Sequence, residues 1–279
     1  MRKEIILNTK RGFCLHAFDG DSITNEVKKY GEYDSNTLNS LEEILEKIKP
    51  NISLDIGANI GNHTLLIAQL SQKLISFEPV DFIFKALDQN IKSNKLSNTI
   101  AFNVGLSNKE MATDIFIPKN GNLGSSSITE RKGDGEALSI VLKKGDDFLR
   151  DYGFGSGVDF IKIDVEGHEA EALEGLQQTI ISNQPLVLIE WKTDRTLKLF
   201  NEKDLFNFLF RGYTVYSLTC LDNKKAHPKN LKGFLSRLFF KLIAKKWCLG
   251  SFDQSKFYSN VFLVPERYNS KFKSFRFAK

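Results

Sequence analysis

The chain has 279 residues, 41% hydrophobic and 26% charged, a balance that suits a globular protein with a substantial core and excludes a low-complexity or fibrous one. No apolar run approaches the ~20 residues needed to span a bilayer, and a net charge of +5 is too small and too dispersed to imply nucleic acid. Cys14, Cys220 and Cys248 stand far apart, in no metal-ligand or redox pairing, and Met1 to Leu7 lacks the length and cleavage site of a signal peptide. The expected compartment is therefore reducing and cytoplasmic.

In chain order, residues 1–50 read as an N-terminal extension, with a hairpin at about 4–19 and a helix at about 37–48 that Pro50 ends. The main domain, 51–279, opens with an apolar run (Ile52, Leu54, Ile56), a glycine turn and a helical stretch from Asn62 to Ala68. Leu74 to Phe77 is a short strand, and the spacing of Phe82, Phe84, Leu87 and Ile91 predicts a helix over 81–95. Thr99 to Val104 and Ala112 to Ile117 read as strands, as does Val158 to Val165; a helix follows from about Glu169 to Ile181, then a strand from Leu186 to Trp191. Near-continuous Val, Ile, Leu and Phe runs separated by helices predict a doubly wound, mostly parallel α/β sheet. Tyr213 to Leu218 and Asn260 to Val264 read as two further strands, bounding an insertion at about 219–258. Residues 223–252 of that insertion contain no acid.

In such sheets a ligand lies beyond the carboxyl ends of the strands, near the switch in strand order. The residues there are Asp55 to Gly61, Glu78, Asn103 to Ser107, and Asp164 to His168. The turn Asp55-Ile56-Gly57-Ala58-Asn59-Ile60-Gly61 brings backbone close to a ligand, and the helix after it presents free N–H groups. Glu78 follows by roughly 20 residues, the spacing of a ribose-binding acid. A dinucleotide pyrophosphate asks for Gly-x-Gly-x-x-Gly, but Asn59 takes the middle position and no third glycine follows. That departure favours S-adenosylmethionine, which has a ribose but no phosphate.

Four motifs then occur in order: Leu54-Asp55-Ile56-Gly57-Ala58-Asn59-Ile60-Gly61-Asn62-His63-Thr64, Phe77-Glu78-Pro79, Asn103-Val104-Gly105-Leu106-Ser107, and Ile161-Lys162-Ile163-Asp164-Val165-Glu166-Gly167-His168-Glu169. Together they resemble the FkbM-type S-adenosylmethionine-dependent methyltransferases, and the likeness extends to Gly31-Glu32-Tyr33 and Gly124-Ser125-Ser126-Ser127. The resemblance implies a seven-stranded Rossmann-like sheet with its last strand antiparallel. It also implies that Asp55, Gly57 and Asn59 hold the methionine end of the cofactor, with Gly61 also at the cofactor, Glu78 holding the ribose and the Asn103 segment the adenine, and Asp164 near the methyl group. The activity it implies is O-methylation of a hydroxyl, on a sugar, a polysaccharide precursor or a related metabolite. A non-catalytic glycan- or partner-binding protein on the same fold is the alternative, with an NAD-dependent oxidoreductase behind it.

If the acceptor is an alcohol, a base must take its proton. His168 is the natural candidate, with Asp164 and Glu166 as rivals and a capping or packing role for His168 as the plain alternative. His63, also at a helix start, reads as packing on the cofactor side. Asp164, Glu166 and Glu190 could instead hold magnesium, which the resemblance does not require. In residues 229–249, Leu231, Phe234, Leu235, Leu238 and Leu242 share one helical face, and Arg237, Lys241 and Lys245 form a flanking stripe. Packing on the sheet and contact with an anionic membrane or a lipid-linked acceptor are both compatible with that pattern, the second placing the enzyme at the inner membrane face; nucleic acid is not expected.

Overall fold

The strand runs of the main domain lie side by side in one sheet. A computed structural model describes residues 3–119, 123–128, 134–220, 247–272 and 275. The chain starts with β1 (Glu4–Asn8), β2 (Cys14–Phe18), α1 (Ser22–Tyr30) and α2 (Ser35–Ile48). It continues through β3 (Ile52–Ile56), α3 (Asn62–Leu70), β4 (Lys73–Phe77), α4 (Asp81–Ser93), β5 (Thr99–Phe102), β6 (Gly105–Ser107), β7 (Met111–Pro118) and β8 (Gly135–Lys144). Next come α5 (Gly145–Asp151), β9 (Val158–Ile163), α6 (Glu169–Gly175), α7 (Gln177–Asn183), β10 (Leu186–Trp191), α8 (Asp194–Glu202) and α9 (Leu205–Leu209). The last strands are β11 (Thr214–Cys220), β12 (Trp247–Ser251) and β13 (Tyr258–Val264).

The large sheet has the order β12-β11-β13-β10-β9-β3-β4-β5. Strands β5, β4, β3, β9 and β10 are parallel, while β13 runs antiparallel between β10 and β11. Seven of the eight strands match the seven-stranded sheet with an antiparallel last strand that the resemblance implies. The eighth, β12, pairs with β11 and buries Trp247, Cys248 and Leu249, residues that the helical reading of 229–249 had placed in a helix. The rest of that segment lies outside the described residues. Among the described residues, no helix is long and apolar enough to cross a membrane.

Both faces of the sheet are covered, as near-continuous apolar strands require. One core joins Leu54, Ile56, Ile161, Ile163 and Ile189 to the helices α5 to α9, and the other joins Phe160, Leu188 and Phe262 to α2, α3 and the N-terminal hairpin. The hairpin is held by polar contacts as well. Glu32 is buried between Lys10 and Arg11, and Arg11 also reaches Glu42 at 2.8 Å. Asn90 on α4 donates to the carbonyls of His16 (3.0 Å) and Ile60 (2.7 Å), so it ties the hairpin to the glycine turn.

Two regions depart from the sequence expectation. Ala112 to Ile117 is a strand, but it belongs to a separate sheet of order β6-β8-β7, whose long strand β8 the apolar pattern did not reveal. The single helix expected over 169–181 is divided at Leu176, with α6 on one side and α7 on the other. Gly175 closes α6 against the backbone of β6, where an added Cβ would come within 1.8 Å of the Ser107 carbonyl oxygen. The Gly175→Ala protein should therefore lose about 2–3 kcal/mol of stability, read as a lower unfolding midpoint in urea or heat. An unchanged midpoint would mean that α6 can move off β6 freely.

Candidate active site

The strand order reverses between β3 and β9, and the loops after β3, β4, β5 and β9 meet at that switch point. Gly57, at φ 77°, lets β3 end flush against its neighbour: a Cβ there would lie 1.9 Å from the Asp164 carbonyl oxygen. Asn59 is left-handed at φ 52°, a conformation asparagine tolerates better than most residues, and its side-chain oxygen accepts the Ile60 N–H at 2.7 Å. The Asn59 N–H points to the Glu78 carboxylate at 3.0 Å, and the Val80 N–H reaches the other oxygen at 2.9 Å. Burial pushes the Glu78 carboxyl up to about 7, despite those two donors.

Asp55 and Lys162 are register partners on adjacent parallel strands, so their side chains share a face. The Lys162 ammonium lies 3.3 Å from Asp55 and 3.5 Å from Asp164, and Thr64 donates to the other Asp55 oxygen at 2.7 Å. Burial works against the lysine charge, but Asp55 and then Asp164 outweigh it and hold the Lys162 pKa above the ordinary lysine value.

After β9 the loop is held from several sides. Glu166 is left-handed at φ 50°, and its carbonyl accepts the Ser127 hydroxyl at 2.9 Å. Glu169 is buried, accepting the Gly167 N–H at 2.9 Å and the Thr196 hydroxyl at 2.6 Å. Asp21 caps α1 and also accepts the Leu123 N–H at 2.9 Å, so the Gly124 to Ser127 loop is anchored at both ends over the glycine turn.

Two cavities result, sharing one edge. The first is mostly apolar, with Pro79, Val80, Ile83, Leu106 and Leu142 on its walls and Glu78 and His168 as polar features. The second is polar and is lined by Tyr33, Asp34, His63, Lys162, Glu190 and Asn260. Gly57, Asn59, Gly124, Asp164 and Glu166 border both.

Of the residues singled out from sequence, Gly57, Asn59, Glu78, Asp164, Glu166 and His168 come together around these spaces. Asp55 lies behind them, bound to Thr64 and Lys162, and Gly61 is the N-cap of α3. Asn103 does not line either cavity: its amide donates to the carbonyls of Glu78 (2.9 Å) and Pro79 (3.0 Å), clasping the ends of β4 and β5. His168 lines the apolar cavity and not the polar one. Its Nε2 is 3.0 Å from the Ser107 hydroxyl, and burial lowers its pKa. His63 lines the polar cavity, 3.5 Å from Asp34. Lys162, Lys192, Tyr33 and Asp34 gained no role from sequence. The signal for Lys162 was a charge inside an otherwise apolar strand, which burial forces to find partners.

Replacing Lys162 by methionine should cost about 3–5 kcal/mol, because it leaves two carboxylates facing each other without a cation. Urea unfolding measures this directly, and a loss below 1 kcal/mol would show that the pair is not coupled through Lys162.

The model of the Methyltransferase FkbM domain matches residues 55–214. The methyltransferase sdnD of Sordaria araneosa is 28% identical over 156 residues, 45% of this chain and 60% of that protein. Methyltransferase 1 of Beauveria bassiana is 24% identical over 163 residues, 50% of this chain and 66% of that protein. The matches thus span about 60–66% of these curated relatives' own lengths. Among solved structures, a methyltransferase FkbM from Methylobacillus flagellatus aligns over 77% of this chain and 44% of its own, with a TM-score of 0.47 and 14% identity. Because the matched segment is more than half of the chain and contains the strand ends that build both cavities, this protein belongs to the methyltransferase FkbM domain family.

Proposed function

We propose that this protein is an S-adenosylmethionine-dependent O-methyltransferase whose acceptor is a hydroxyl of a sugar or related metabolite. The observation that carries the reading is the buried Glu78 carboxylate in the wall of a mostly apolar cavity. Each Glu78 oxygen accepts one backbone N–H and keeps capacity for another donor, as a pair of ribose hydroxyls would supply. The apolar walls suit an adenine, and the Asn59 N–H, turned toward Glu78, is not available to a pyrophosphate. The residues present therefore fit the cofactor.

When bound, S-adenosylmethionine supplies an electrophilic methyl group. The task left to the chain is alignment of the acceptor oxygen with that group and removal of its proton. Asp164 and Glu166 border both cavities, so their carboxylates are the groups an acceptor hydroxyl reaches at the shared edge. His168 opens only on the apolar cavity and is held by Ser107, which supports a positioning role on the cofactor side rather than that of a base. The alcohol-rich character of a sugar suits the polar cavity, with its carboxylates and the Asn260 amide.

Calorimetry with S-adenosylhomocysteine and with NAD tests the reading. Saturable binding of the first and none of the second is expected, and binding of NAD alone would overturn it. Glu78→Gln should weaken S-adenosylhomocysteine binding about 10–100-fold, the worth of a hydrogen bond to a charged group.

The pH dependence follows from the same carboxyl. Only its ionised form accepts from both ribose hydroxyls, so affinity is fully present well above pH 7 and is lost as pH falls through the raised folded value of about 7. Binding at pH 6 should be roughly tenfold weaker than at pH 8, and Glu78→Gln should flatten the profile. A flat profile in the unmodified protein would remove Glu78 from the ribose site.

A further inference from the structure

Among the described residues, carboxyl groups outnumber lysines on the wall of the polar cavity. Glu26, Asp34, Asp164, Glu166 and Glu190 face it, against Lys162 and Lys192. Lys162 is already shared between Asp55 and Asp164, and Lys192 is paired with Glu190. Asp164 follows β9 and Glu190 lies on β10, neighbouring strands at the end where the cavities meet. With Glu166, each can bring one carboxylate oxygen to within 4.8 Å of the other two.

A second observation points to a ligand there. Glu190 is only 4% exposed, and while one of its oxygens takes Lys192, its Oε2 is buried without a hydrogen-bond partner. Buried carboxylate oxygens are normally satisfied, and one without a partner inside a cavity lining marks a place for a positive group.

We propose that Asp164, Glu166 and Glu190 form a binding site for a hard divalent cation of the magnesium or manganese type. The donor set contains oxygen alone, with no thiolate or imidazole, which is the preference of such ions. Around an octahedral ion with bonds of ~2.1 Å, adjacent ligand oxygens lie ~3 Å apart and opposite ones ~4.2 Å. The separations here, within 4.8 Å, would close toward those values by side-chain rotation as the ion binds. Lys192, whose side chain is 54% exposed, can turn to solvent as the ion enters. The inference rests on the acceptor reading of the polar cavity and deepens it. A cation at this edge would hold an acceptor oxygen beside the methyl group, with Asp164, Glu166 and Glu190 as its ligands.

The test uses the whole chain, freed of metal with a chelator and titrated with Mn²⁺ alone while free ion is followed by electron paramagnetic resonance. S-adenosylhomocysteine binding is measured by calorimetry on the same preparation. The expected result is one Mn²⁺ per chain, displaced by Mg²⁺, with at least tenfold weaker binding in both Glu190→Gln and Glu166→Gln. Circular dichroism checks the fold of each variant, and the more exposed Glu166 keeps the test open should Glu190→Gln fail to fold. Absence of saturable Mn²⁺ binding in protein that binds S-adenosylhomocysteine would overturn the site and leave the methyl-donor reading standing. Equal Mn²⁺ affinity in the unmodified protein and both variants would place the ion elsewhere and overturn the site as well. Mn²⁺ binding that depends on Glu190 and Glu166, in protein that ignores S-adenosylhomocysteine, would uphold the site and sink the methyl-donor reading.

Discussion

One buried ammonium organises this molecule. Lys162, in the middle of the sheet, lies between Asp55 at the end of β3 and Asp164 after β9. A charge in that position is tolerable only with opposite charges beside it. The requirement fixes the β3–β9 register, brings two carboxylates to the switch point, and keeps them from repelling one another. Thr64 then ties Asp55 to the start of α3, so the glycine turn has little freedom to shift.

The two cavities depend on that frame. Gly57 lets β3 and the Asp164 backbone meet without a side chain between them. The segment after β9 is consequently the shared wall, apolar space on one side and polar space on the other. Glu166 is held in a left-handed conformation there by Ser127 and the neighbouring loop, a strain of the kind that folds tolerate at functional sites. The two spaces meet at one carboxylate-bearing edge.

Much of this was legible in the residues. Apolar runs marked the five parallel strands, and sheet register decided their order. The glycine turn, Glu78 and Asp164 were visible because each is local: a turn, a strand end, a short spacing. The divided helix at Leu176 was not visible, since helical periodicity continues across it and only contact of Gly175 with β6 interrupts it. Strand β12 was hidden for a related reason, because Trp247 to Leu249 is as apolar as a helix face and pairing with β11 decides the matter.

By itself, then, the sequence determined the fold family, the glycine turn and the acids at the strand ends, because those depend on neighbours within a few residues. Tertiary structure decided which groups meet. Asp55 and Lys162 are over a hundred residues apart and are joined by sheet register. Asn103 turned to the Glu78 and Pro79 carbonyls, which face it across the gap between β4 and β5. His168 went to the apolar cavity and His63 to the polar one, although both stand at helix starts. The direction in which a helix start faces is set by packing on the sheet, which no local pattern encodes.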